Sequence, residues 1–103
     1  MKIEVLYVRG CPNYQPAVAR IQKVLMSESL RADIESVVVS SDADAKALRF
    51  LGSPTIRVNG ADVEPNPTNA VGLACRLYVN SGGVPSEEML SVALSRAKQG
   101  ERV

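Results

Sequence analysis

The chain contains no histidine. That absence excludes Ser-His and Cys-His catalysis, imidazole metal ligation and a histidine pH switch together. It holds two cysteines, too few for a four-thiolate zinc site within one chain. Tryptophan is missing, and one phenylalanine and three tyrosines are the whole aromatic content. A stacking platform for single-stranded nucleic acid is therefore not expected. An excess of one charge is missing too. Twelve Lys and Arg stand against eleven Asp and Glu, a net charge of +1. No basic field is available to neutralise nucleic-acid phosphates, and no polybasic segment suggests a membrane surface. No apolar run approaches the roughly 20 residues of a membrane span.

The stretch from Met1 to Arg9 does not read as a signal peptide. Its apolar run is short, Glu4 interrupts it, and no small-residue cleavage site follows. A cytoplasmic protein without nucleic-acid or membrane partners is the expectation. In that compartment two cysteines are more often reactive or buried than joined in a structural disulfide.

The 103 residues, 46% hydrophobic and 22% charged, fit one ordinary globular domain over residues 1–103. Lys2 to Val8 is rich in β-branched residues and ends at Arg9-Gly10, which predicts a buried strand. Asn13 to about Ser29 predicts a helix, with Val18, Ile21 and Leu25 on one stripe and Pro16 tolerated in the first turn. Asp33 to Val39 predicts a second buried strand. Ser41 with Asp44 is a capping-box signature for a short helix through Leu48 and Leu51, with Gly52 closing it as C′. Thr55 to Val58 predicts a strand before the Asn59-Gly60 turn.

Ala61 to Leu73, with two prolines and two asparagines, reads as a long loop. Ala74 to Val79 alternates, which predicts a strand with Cys75, Leu77 and Val79 on one face and Ala74, Arg76 and Tyr78 on the other. Pro85 opens a last helix, with Glu87 and Glu88 in its first turn and Met89, Leu90, Ala93, Leu94 and Ala97 along its apolar stripe. The order β-α-β-α-β-β-α predicts an α/β fold. Its first two strands would be parallel and its last two antiparallel, giving a four-stranded mixed sheet with helices on both faces.

Three features carry chemistry. In Gly10-Cys11-Pro12-Asn13-Tyr14, Cys11 follows a strand and precedes a helix, where unpaired N–H groups favour a thiolate, the nucleophilic form. Ser53-Pro54-Thr55 opens a strand. Cys75 lies late in the chain, either as a buried core cysteine with Leu77 and Val79 or as a partner to Cys11.

Together, a strand leading to Cys-Pro-x-x at a helix start, a β-α unit, Ser-Pro-Thr opening a strand and a terminal helix resemble the thioredoxin-like superfamily over about Lys2 to Gly100. The resemblance implies that Pro54 is cis and lies beside Cys11. It also implies that the backbone near Ser53 pairs with an extended thiol-bearing substrate, in a groove lined by Ser53 and Thr55. Redox members of that superfamily carry Cys-x-x-Cys, whereas Tyr14 stands here at the second cysteine position.

Ordinary dithiol exchange at this motif is thereby excluded. What remains is a monothiol cycle in which Cys11 attacks a disulfide of a protein or of glutathione and an outside thiol resolves the adduct. Cys75 is the alternative resolving group. The rival expectation is a non-catalytic module that binds a protein partner or, through the two thiolates, a soft ion such as mercury, cuprous copper or arsenite. No cofactor is implied.

Pro12 and Tyr14, which follow Cys11 into the helix, are expected with Ser53, Pro54 and Thr55 to contact the substrate. Tyr14 either hydrogen-bonds a substrate or shields the thiol. Tyr7 and Tyr78 are expected to pack on the sheet with their hydroxyls at the rim. Arg57 and Arg76 are expected to be solvated or ion-paired on adjacent strands, and Asp62 and Glu64 to be solvated loop charges.

Overall fold

In β1 (Lys2–Tyr7), Ile3 and Val5 turn to one face of a sheet and Leu6 to the other, the period-two consequence of an extended chain. A computed structural model describes residues 1–100. After β1 the chain forms α1 (Tyr14–Ser27) and returns as β2 (Asp33–Val38), parallel to β1 from Lys2↔Asp33 to Tyr7↔Val38. On the other side of β1 lies β4 (Thr55–Val58), antiparallel, with Val5 opposite Ile56. Asn59 and Gly60 both take positive φ, 50° and 86°, as a two-residue primed turn requires. They fold β5 (Ala61–Asp62) back onto β4. The four-stranded mixed sheet has the order β2-β1-β4-β5.

Helices cover both faces. Ala17, Ile21, Val24 and Leu25 of α1 meet Leu90, Ala93 and Leu94 of α3 (Glu87–Gly100) over Ile3, Val5, Ile56 and Val58. On the opposite face Ala45 of α2 (Asp42–Leu48) packs with Leu6, Val39 and Phe50. The expected stripes of the first and last helices are therefore the buried ones. Ser41 Oγ accepts from Asp44 N at 3.1 Å, as its spacing predicts.

Three expectations are corrected. Gly52 does not close the second helix. Arg49 does, at φ 52°, with Arg49 N donating to Lys46 O and Phe50 N to Ala45 O, a Schellman closure. Burying Phe50 in the core immediately after the helix outweighs the modest cost of a left-handed arginine. The region from Ala61 to Leu73 is not all loop, since it supplies the fourth strand, β5, and the start of another.

The stretch from Ala74 to Val79 does not pair with Thr55–Val58, because the tight hairpin already fills that position. Instead β6 (Gly72–Cys75) lies parallel to β3 (Leu51–Ser53) in a separate two-stranded sheet, with Leu51 opposite Gly72 and Ser53 opposite Cys75. Among the described residues no helix is long and apolar enough to cross a membrane.

Candidate functional site

Two consecutive turns join β1 to α1. Gly10 adopts φ +79°, Cys11 N donates to Val8 O at 3.2 Å, and Tyr14 N donates to Cys11 O at 3.3 Å. These bonds hold Cys11 half-buried, two residues before the helix cap Asn13, with Pro12 exposed beside it. Asn13 makes no side-chain cap. Its amide packs so closely on Gly83 that a Cβ there would overlap it, which pins the turn to the segment before α3. Tyr14 stacks on Tyr7 with ring centroids 3.8 Å apart, and its hydroxyl lies 2.6 Å from Ser36 Oγ. The ring thus ties the start of α1 across β1 to β2.

Ser53, Pro54 and Thr55 form a buried corner, and the Ser53-Pro54 bond is cis. Ser53 Oγ accepts from Val8 N at 3.0 Å, which binds the corner to the root of the Cys11 turn. Thr55 Oγ1 donates to Gly52 O at 2.7 Å. The hydroxyls expected to line a groove are therefore engaged inside the protein. Ser53 O accepts from Arg76 N at 3.0 Å, so the edge assigned by resemblance to a substrate strand carries the chain's own β6. Of the expected binding residues, Pro12 is exposed and Tyr14 half-buried, while Ser53, Pro54 and Thr55 are buried and reach the Cys11 turn through Val8 N.

Sequence reasoning missed what holds the corner. The faces of 74–79 are inverted relative to expectation. Arg76 and Tyr78 are buried, while Cys75 is exposed and Leu77 and Val79 are 69% and 62% exposed. Arg76 forks onto Asp62, with Nη1 to Oδ2 at 2.6 Å and Nη2 to Oδ1 at 2.8 Å, and Nη2 reaches Glu64 Oε1 at 3.3 Å. The other Glu64 oxygen accepts from Val79 N at 2.8 Å. Asp62 and Glu64 are thus not solvated loop charges.

The guanidinium carbon sits 4.2 Å over the Tyr78 ring, and Nη1 lies 3.4 Å from Thr55 Oγ1. The Tyr78 hydroxyl is not at the rim but donates to Pro54 O at 2.6 Å. Ser53, Pro54 and Thr55 are each gripped in turn by Arg76 or Tyr78. The legible signal was the spacing itself: Arg76 and Tyr78 share one strand face, and two carboxylates share another pair of alternate positions. Arg57 donates to Leu48 O at 2.6 Å and Arg49 O at 3.1 Å, bracing the end of α2.

Burial alone would lower the Arg76 pKa. The Asp62 hydrogen bond and charge, with Tyr78 and Glu64, outweigh it and hold the guanidinium above its ordinary value. Burial pushes the Tyr78 phenol well above its ordinary value; Arg76 pulls it down, and Asp62 and Glu64 add to the rise. A phenol raised on folding contributes stability that is complete below the unfolded value of about 10 and is lost as pH climbs beyond it. Urea unfolding at stepped alkaline pH is expected to show that decline above about pH 10, reduced in Tyr78→Phe. At neutral pH the same variant loses about 1 kcal/mol with the Pro54 bond. An unchanged alkaline slope in the variant would assign the decline to other groups.

A cavity of about 290 Å³ opens at the carboxyl ends of β1 and β2, lined by Val8, Arg9, Val38, Val39, Ser40 and Leu73. Arg9, exposed on its wall, makes no ion pair among the described residues. A larger cavity, about 700 Å³ between Met1, Leu25, Met26 and Ile34, lies at the opposite end of these strands from Cys11. No group of three or more acidic or thiol side chains gathers as a metal site among the described residues. Compared with family models, with curated proteins and with solved structures, the chain matches none of them.

Proposed function

We propose that the chain is a cytoplasmic thioredoxin-like protein of thiol-disulfide exchange, with Cys11 as its nucleophile and a protein or glutathione disulfide as its substrate. The observation that carries this reading is the placement of Cys11. The thiol is free and half-buried in a strand-to-helix turn whose root, Val8, is bonded to the cis Ser53-Pro54 corner. The Cys11 thiolate attacks one sulfur of a mixed disulfide between glutathione and a protein. The Cys11-glutathione bond forms and the protein thiolate leaves to take up a proton. A second glutathione thiolate then attacks the adduct, which releases glutathione disulfide and restores Cys11. Each turn consumes one free glutathione: the protein sulfur of the substrate leaves as a thiol, its glutathione leaves joined to the incoming one as glutathione disulfide, and no cofactor takes part. Tyr14 fills the position of a second motif cysteine, so the motif itself cannot close a ring.

The test is reduction of a glutathione-peptide mixed disulfide in the presence of glutathione. Wild type is expected to turn over and Cys11→Ser to fall to the uncatalysed background. Absence of turnover in the folded wild type would refute the reading and leave a module that binds a protein or a soft metal ion.

A further inference from the structure

Ser53 is bonded to both cysteine-bearing segments of the chain. Its hydroxyl accepts from Val8 N, three residues before Cys11, and its carbonyl accepts from Arg76 N, the residue after Cys75. In the strand register Cys75 is the residue opposite Ser53 itself. The same two segments also share a cavity, which Leu73 of β6 lines together with Val8 and Arg9, the residues that lead into the Cys11 turn.

The remaining observations concern how Cys75 is held. Arg76 is locked inside by Asp62 and Glu64, which fixes the backbone next to Cys75, while Cys75 is left exposed and unbonded. Among the described residues β6 has β3 as its one strand neighbour, and their register breaks between Leu51 and Ser53. The Arg76 end of this four-residue strand is anchored, so the approach that a disulfide demands falls to the exposed Cys75 side chain and to the Cys11 turn, with β6 kept against β3.

We infer that Cys75 is the resolving thiol for Cys11, so that the oxidised protein carries a Cys11–Cys75 disulfide. The inference rests on the proposed role of Cys11 as nucleophile. After Cys11 has attacked a disulfide and formed a mixed bond, the Cys75 thiolate attacks Cys11 Sγ. The Cys11–Cys75 bond forms, the second substrate thiolate leaves and takes up a proton, and the protein has given up two electrons. Two molecules of a small thiol such as glutathione then reduce the ring and leave as their own disulfide. The step closes when the Cα atoms of the two cysteines come within about 7 Å. Ser53, bonded to both segments, is the pivot for that approach.

The test adds glutathione disulfide to reduced wild type, Cys75→Ser and Cys11→Ser, quenches with acid and alkylating agent at intervals, and maps the peptides by mass. In wild type a linked Cys11–Cys75 peptide is expected with little glutathione adduct; in Cys75→Ser the adduct accumulates on Cys11. At about 0.1 mM free glutathione, a tethered thiol at millimolar effective concentration shortens the adduct's lifetime about tenfold. Equal adduct lifetimes in wild type and Cys75→Ser, with no linked peptide, would overturn the inference while leaving Cys11 as a monothiol nucleophile. So would a link between Cys75 residues of two chains. Neither adduct nor link at Cys11 in any of the proteins would overturn the proposed function itself.

Discussion

Replacing Arg76 by methionine is expected to lower the unfolding free energy by about 3–5 kcal/mol, the usual cost of removing one partner from a buried ion pair. The guanidinium is fully buried and bridges two carboxylates whose side chains are 14% and 10% exposed. Without it, Asp62 and Glu64 face each other across a desolvated space. Glu64 also accepts from Val79 N, and the Arg76 backbone N–H, which the variant keeps, donates to the Ser53 carbonyl, so the disturbance is carried to the segment after β6 and, through the backbone, to β3.

A domain of this length has roughly 5–15 kcal/mol of stability in all, so the change is expected to move the urea midpoint strongly. Lysine is not expected to rescue it, because a point charge cannot fork onto Asp62 and reach Glu64 together. Adding Asp62→Asn to Arg76→Met removes one stranded charge, and the double-mutant cycle is expected to show a coupling of about 0.5–3 kcal/mol. A single-variant loss below about 1 kcal/mol would mean that the network adds little beyond an exposed ion pair.

Gly52→Ala is expected to be nearly as costly. Gly52 sits at φ +106°, and a Cβ built there would lie 2.9 Å from Ala74 O and 3.1 Å from the Arg76 Cα. Residues with side chains rarely adopt that φ, and holding one there costs on the order of 1–3 kcal/mol. The obstruction is backbone, so no rotamer change relieves it, and β6 must move away from β3. Two readouts are expected together: a urea midpoint well below wild type, and faster amide exchange at Arg76, whose N–H donates across that contact. A stable variant with unchanged exchange at Arg76 would show that β6 can shift without cost.

Much of this was legible in local pattern. The alternation of Ile3, Val5 and Leu6, the spacing of Ile21 and Leu25, the Ser41 cap and the Asn59-Gly60 turn each encode one element through contacts a few residues apart. What stayed hidden depends on residues far apart. Period two in 74–79 identifies two faces but not which one is inside. Leu77 and Val79 made the apolar face look like the core. The choice was made instead by Asp62 and Glu64, which offer Arg76 a pair of carboxylates only once the Asn59-Gly60 hairpin has folded. The Ser53 hydroxyl is engaged rather than presented for a similar reason, since Val8 N comes to it from 45 residues away, whereas Thr55 turns its hydroxyl onto Gly52 O three residues back. The Cys11 turn itself was placed correctly between its strand and helix.

The grip on Ser53, Pro54 and Thr55 also sets an order of events during synthesis. The strands around Cys11, β1 and β2, come from the first 38 residues, but the groups that complete the hold on the corner, beyond Val8 N and Gly52 O, belong to residues 76 and 78. While the chain is being made at about 5–20 residues per second, Cys11 is therefore exposed for seconds before its supporting corner can be completed. The thiol comes out early and its surroundings late, so the last third of the chain decides when Cys11 first meets a finished site.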